Sequence, residues 1–132
     1  MPWCDWVLLR RAGIGLALQN LGGMGNVTFL PATGGPEGVI GFDTGPGVAL
    51  LDGVARLASG GRDPWDVDGR RAARGTVVPE LLEQLMRDPF LRTPPPRSTG
   101  RERFGDERVS EIVAKANPAC PGEWDDLLAT LS

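Results

Sequence analysis

The feature that most constrains this chain is a run of short apolar segments broken by glycine between residues 16 and 47. The stretch LALQNLGGMGNVTFLP holds two such segments, residues 16–20 and 27–30, around the turn LGGMG. The second is β-branched and aromatic, and Pro31 stops it. Two runs joined by a glycine-containing turn predict a hairpin. After the loop ATGGPEG, residues 39–42 form a third short run, which leads into a second glycine-rich turn, GFDTGPG. Three strands in close succession are expected, antiparallel in part.

From Pro46 the period changes. Leu50, Leu51, Val54, Leu57 and Ala58 fall on one helical face. Pro46 suits a first-turn position and Gly60 a C-terminal stop. Gly53, inside that helix, costs about 1 kcal/mol relative to alanine, which points to close packing against a neighbour. A second helix is expected from Pro79, with Leu81, Leu82 and Leu85 on one side and Asp88-Pro89 as its end. The segment LRTPPPRSTGRERFG reads as an extended, proline-rich loop. It is expected to be ordered, because it closes in a compact cluster from Ser98 to Phe104. Two more helices follow. Val109, Ile112, Val113 and Ala116 share one face, and so do Trp124, Leu127, Leu128 and Leu131. The chain begins abruptly and stops one residue after Leu131, so both ends read as cut.

A strand feeding a glycine-rich turn presents successive backbone N–H groups to a ligand that can approach closely. The second turn also feeds a helix, whose N-terminus adds partial positive charge. Asp43 is suited to hold a magnesium-bound water or to position a hydroxyl. Thr44 and Asn26 offer side-chain donors. Two such turns together suit a nucleotide tail with its metal, although either alone is more often only a turn. Neither is a Walker A loop or a GxGxxG fingerprint.

The remaining candidates have plainer readings. Asp52 is expected near the first turns of its helix as a dipole contact. The run DPWDVDG lacks the later glutamate of a calcium loop and reads as an ordinary turn. Arg97, Arg101 and Arg103 could clamp an anion but more often form a solvated loop. Trp65 and Trp124 read as core or interface residues.

Composition removes several functions. The 132 residues make one domain at most, with 41% hydrophobic and 23% charged residues, as in a soluble globular chain. A net charge of −3 disfavours nucleic-acid binding. There is no histidine, which rules out histidine acid–base catalysis and, with only Cys4 and Cys120, disfavours a zinc site. A Cys4–Cys120 disulfide has little support. The N-terminal apolar run is too short for a signal peptide or a membrane span, so no membrane association and a cytoplasmic location are expected.

Taken in order, QNLGGMGNVTFLP, GFDTGPGVALLDG, WDVDGRRAARG and PPPRSTGRERFG resemble the central to C-terminal part of the anhydro-N-acetylmuramic acid kinases, of the sugar kinase, Hsc70 and actin superfamily. The resemblance implies an α/β fold. It would be a partial actin-like ATPase lobe of ribonuclease H-like type, with three N-terminal strands followed by helices, across residues 1–132. It implies ATP and Mg2+ as cofactors and anhydro-N-acetylmuramic acid as substrate, opened by water and phosphorylated on O6 in peptidoglycan recycling. Asn20, Gly22, Gly23 and Asn26 resemble the phosphate-contacting hairpin. Asp43, Thr44, Gly45 and Gly47 resemble the next turn, with Asp43 as the metal-side residue through water. Ser98, Thr99, Gly100 and Arg101 match an STGRE loop whose role is either structural or substrate-facing, with Arg101 as the substrate-facing candidate. Val48 stands where the family usually has asparagine, and Arg97 where it usually has lysine.

The same resemblance implies that the family's first phosphate loop and catalytic aspartate lie upstream of this chain, and its adenosine loop downstream. No catalytic residue is therefore assigned here. The chain is expected to be inactive alone, with an unpaired sheet edge, and to associate as a homodimer or with the missing kinase segments. The alternative is a non-catalytic phosphate-binding or dimerisation remnant.

Overall fold

The computed structural model describes residues 2–132. A helix, α1 (Pro2–Leu9), precedes a three-stranded sheet made of β1 (Leu16–Leu21), β2 (Met24–Leu30) and β3 (Ile40–Pro46). Six helices follow: α2 (Val48–Ala58), α3 (Pro79–Met86), α4 (Pro89–Arg92), α5 (Arg101–Phe104), α6 (Asp106–Ala116) and α7 (Pro121–Leu131). The strands are therefore not the first element, as the sequence suggested. The apolar run WVLL that opens the chain is helical, with Trp6 buried.

The sheet has the order β1-β2-β3 and is antiparallel throughout. Gly22 and Gly23 make a tight turn, and both flanking strands run longer than the apolar segments alone predict. On one face Leu18 sits opposite Thr28, while Leu30 is fully buried. Trp6 of α1 is buried as well, and α1 packs against β2. The opposite face carries Phe29 and Ile40 as a cross-strand pair, both partly exposed. Among the described residues, β1 and β3 each have an edge with no strand beside it.

The main core is helical. Leu50, Val54, Ala55, Phe90, Phe104, Val109, Ile112, Leu127 and Leu128 form one buried cluster from α2, α4, α5, α6 and α7. Trp124 packs against it, whereas Trp65 lies on the surface. In α2 the buried stripe runs through Leu50, Val54 and Ala55, and Leu57 faces solvent, contrary to the expected face. The helix begins two residues later than Pro46 suggested, because Pro46 completes β3. Asp52 consequently lies beyond the first turn. Gly60, at φ +64, ends α2 as expected. Asn117 does the same for α6 in the left-handed conformation, its N–H donating to the Val113 carbonyl at 2.8 Å.

Gly53 is where α2 meets α6. A Cβ there would lie 2.5 Å from Cγ2 of Val109. Val109 is β-branched and stiff in a helix, so it cannot turn aside cheaply.

The WDVDGRRAARG segment is a structural tie rather than a cation loop. Both Asp66 carboxylate oxygens accept from the Arg71 N–H, and one also accepts from the Ala72 N–H, which builds the turn. Arg71 and Arg74 then reach Asp125 of α7, at 2.7 Å and 2.9 Å. Burial alone would raise the Asp125 carboxyl, but hydrogen bonds and charge from Arg71 and Arg74 outweigh it. They hold the group below the usual aspartate range.

Two outcomes follow from this packing. Gly53→Ala should lower stability by about 1–2 kcal/mol despite the better helix propensity. Adding Val109→Ala should cost less than the two single changes summed, as read from urea unfolding. Because the folded value of Asp125 is depressed, its contribution is present above the unfolded aspartate value and lost as pH falls through the folded one. Thermal melts between about pH 6 and pH 3 should show that loss, and Asp125→Asn should make it smaller.

Candidate functional site

The site is built where the hairpin, the second turn and the proline-rich loop meet. The cross-strand register sets Asn20 opposite Asn26, and Asn26 opposite Asp43. Directly opposed residues share a face, so these three side chains form one polar row across the sheet. With strands about 4.8 Å apart, Asn20 and Asp43 stand about 10 Å from each other. At the outer end of the row the Asn20 amide lies over the turn, close to Gly22.

A register irregularity between Gly25 and Asn26 leaves Thr44 as an extra residue in β3. Such a bulge re-aims the side chains beside it. Thr44 falls outside the polar row, and its hydroxyl accepts from Gln19 Nε2 at 3.5 Å. Gln19 Nε2 also donates to the carbonyls of Asn20 and Asn26. Gln19 thus braces the hairpin against the second turn. Sequence reasoning missed it, since nothing in its spacing shows that it folds across β2.

Gly45 is buried, with Leu91 nearby. Gly47 is required by a close approach: a Cβ there would lie 2.1 Å from the Gly22 carbonyl oxygen. That approach corrects one expectation. The N–H groups of Gly47 and Ala49 donate to the Gly23 carbonyl at 2.9 and 3.2 Å, and that of Val48 donates to the Gly22 carbonyl at 3.1 Å. The first donors of α2 are therefore used inside the protein and do not face an anion. The N–H groups of Gly22 and Gly23 themselves take no part in this joint.

The STG loop closes over Asp43. Ser98 Oγ donates to Asp43 Oδ2 at 2.9 Å, and the Thr99 N–H donates to the same oxygen at 2.7 Å. Arg97 fixes the loop from behind. Its guanidinium donates to the carbonyls of Asp43, Thr44, Phe90, Leu91 and Thr93, and it stacks 4.7 Å over the Phe90 ring. In return the Asp43 N–H donates to the Arg97 carbonyl. Arg97 is thus a clamp on backbone oxygens, not on an anion. Arg103 is likewise committed, to Asp88 at 2.6 Å.

Asp88 does more than stop α3. It caps α4 by accepting from the Phe90 N–H, and it faces Arg103 and Arg108. Burial pushes its carboxyl up, but the Phe90 N–H and the two arginines hold it below the usual range. Arg101, at the exposed start of α5, makes no ion pair among the described residues.

One oxygen of Asp43, Oδ2, is therefore bound to the loop. Among the described residues no group of three histidine, cysteine, aspartate or glutamate side chains could hold a metal. At the hairpin end the Asn20 and Asn26 amides stand opposite each other across the ladder and offer N–H donors of the kind a phosphate takes. At Asp43 the donor set fits, at most, a hydrated cation held through water. Both cysteines are free and exposed, so they form no disulfide. No helix among the described residues is long and apolar enough to cross a membrane.

The two glycine turns, the STG loop and the Asp125 tie all rest on the four quoted motifs. A family model described as anhydro-N-acetylmuramic acid kinase matches residues 1–132. The chain belongs to the anhydro-N-acetylmuramic acid kinase family. It is 47% identical over 116 residues to a protein of that name from Gloeobacter violaceus, covering 88% of this chain and 30% of the relative. It is 42% identical over 132 residues to one from Caldanaerobacter subterraneus, covering 100% of this chain and 33% of the relative. One from Synechococcus sp. is 39% identical over 121 residues. The chain spans about a third of the length of these curated anhydro-N-acetylmuramic acid kinases.

Replacing Arg97 by methionine should strip the loop of its anchor and leave several carbonyls unsatisfied. A loss of about 2–4 kcal/mol in chemical unfolding is expected. Faster amide exchange should appear at Thr99 before it appears in α7.

Proposed function

We propose that this chain forms one wall of the catalytic cleft of an anhydro-N-acetylmuramic acid kinase. In that enzyme ATP and magnesium would serve the hydrolytic opening of the 1,6-anhydro sugar and phosphorylation of its O6, giving N-acetylmuramic acid 6-phosphate in the cytoplasm. The observation that carries this reading is the polar row Asn20–Asn26–Asp43, which runs from the glycine turn to the STG loop. Phosphate oxygens would be held at the hairpin by the Asn20 and Asn26 amides and by the N–H groups of Gly22 and Gly23. Gly45 and Gly47 act as close-packing positions that shape the second turn. Thr44, braced by Gln19, fixes that turn from the other side. Asp43 would face a hydrated magnesium or an acceptor hydroxyl, and Arg101 would face the sugar.

The three-stranded antiparallel sheet followed by helices supports an actin-like, ribonuclease H-like lobe. The free edges of β1 and β3 support association, either with further kinase segments or as a homodimer. Phosphoryl transfer needs nucleotide, metal and acceptor held together, usually between two lobes. No residue in this chain is assigned as the base that activates water, so the isolated chain is inactive on this reading.

Purified protein should release no ADP above background with the anhydro sugar, ATP and magnesium. Turnover near an ordinary kinase rate, about 1–100 s⁻¹, would overturn the claim of inactivity. Recovered turnover on mixing with the other segments of a full-length relative would support the one-wall reading.

A further inference from the structure

A groove of about 430 Å³ opens at the end of the β1–β2 ladder opposite the glycine turn. Trp6, Arg10 and Arg11 line it from the α1 side, and Pro31, Thr33 and Gly34 from the loop after β2. We propose that this groove binds a phosphomonoester, the dianionic phosphoryl head of a small organic molecule, through the two guanidiniums. The place is distinct from the polar row. β2 runs from Met24 at the turn to Leu30 at the groove end, about 20 Å at the usual rise of a strand. α1 lies between, with Pro2 against Gly41 and Arg10 just past its other end. The assignment therefore does not depend on the hairpin's reading as a phosphate wall.

Charge points to an anion. The lining holds two arginines and no acid. Both arginines are exposed, and neither makes an ion pair among the described residues. Arg10 lies 5.0 Å over the ring of Trp6, which is itself buried. Stacking of this kind steadies a guanidinium and leaves the N–H groups at its edge for an oxyanion. Glu37, in the same loop, accepts from the Gly35 N–H at 2.9 Å and does not line the groove. A cation just past a helix also answers the helix dipole, but that role needs neither a groove nor a second arginine.

The backbone on both sides is tied. The Gly13 N–H donates to the Ala32 carbonyl at 3.0 Å, which joins the turn after α1 to the loop after β2. The Ile14 N–H donates to the Arg11 carbonyl at 3.2 Å and closes that turn, with Gly13 at φ +75 making the reversal. A ligand thus meets a backbone already in place, which lowers the ordering cost of binding. Two guanidiniums match the charge of roughly −2 on a phosphomonoester at neutral pH, where a single carboxylate would leave one in excess. Their forks take phosphate oxygens in pairs, and Thr33 brings a hydroxyl to the rim. The volume falls within the range of about 300–1,000 Å³ usual for small-molecule sites. It has room for an organic body beside Trp6 and Pro31 as well as the phosphoryl head.

The test is a ¹⁵N titration of the full chain with glycerol 3-phosphate, with succinate and sodium chloride at matched ionic strength as separate arms. Glycerol 3-phosphate at low millimolar concentration should shift the Nε–H signals of Arg10 and Arg11 and the amides of Gly13, Thr33 and Gly34. Succinate should act several-fold more weakly, and sodium chloride should not reproduce the pattern. Arg10→Gln and Arg11→Gln should each weaken binding about tenfold, and the two together should abolish it. Arg10→Lys keeps the charge but loses the fork, and should weaken binding several-fold. Arg92→Gln, at an exposed arginine on α4, should leave it unchanged. Unshifted amides in α6 and α7 confirm that each variant is folded. The inference is overturned if glycerol 3-phosphate moves none of these signals, if the double variant still binds, or if succinate or salt gives an equal response.

Discussion

The joint between sheet and helices is a set of three hydrogen bonds. N–H groups at the start of α2 end on the carbonyls of Gly22 and Gly23. A helix leaves its first N–H groups without partners in its own ladder. Here the hairpin turn supplies the acceptors, and the bond requires glycine at position 47 because a side chain would strike the Gly22 carbonyl. The joint fixes the turn against the helical core through Ala49 and Met24. It also decides the electrostatics of the site. With its leading donors engaged on the Gly22 and Gly23 carbonyls, α2 holds the turn and does not present those N–H groups to an anion.

A second tie works at the other end of the row. Arg97 gathers carbonyls from β3, from α4 and from Thr93 just after it, while Asp43 takes donors from Ser98 and Thr99. Each satisfies backbone groups that a surface loop would otherwise leave to water. The result is a proline-rich segment held in place without regular secondary structure. Arginine suits this role because its planar fork donates in several directions at once. That gives a physical account of Arg97 at this position: the side chain serves the loop, whatever the charge requirement of the cleft.

Much of the fold was legible in the sequence. The hairpin, the third strand, the helix from Pro79 and the two C-terminal helices follow from periodicity and from proline and glycine positions. The prediction that Gly53 packs closely came from its cost inside a helix, and Val109 is the neighbour it faces. The misreadings have local causes. Leu57 is turned to solvent because the α2 stripe is set by α6 and α7, which select Ala55 instead. Pro46 completes β3 because its partner Met24 extends the ladder that far. α1 was overlooked because a short apolar run gives no period of its own. Of the site, the glycine turns and Asp43 could be named from residue type. Gln19, the role of Arg97 and the Asp125 tie could not, since each depends on partners more than twenty positions away or on another element.

The sequence by itself determined which segments turn, which extend and which coil, because those choices rest on local backbone preference and on side-chain period. It also determined the family, through the order of four motifs. Only the tertiary structure decided which candidate residues share a face. The bulge leaves Thr44 without a cross-strand partner and shifts the pairing of Gly45 and Pro46 by one position, while the register brings Asn20 beside Asn26 and Asn26 beside Asp43. The reason is that a strand alternates sides with every residue, so one inserted position reassigns its neighbours, and nothing local records where that insertion falls.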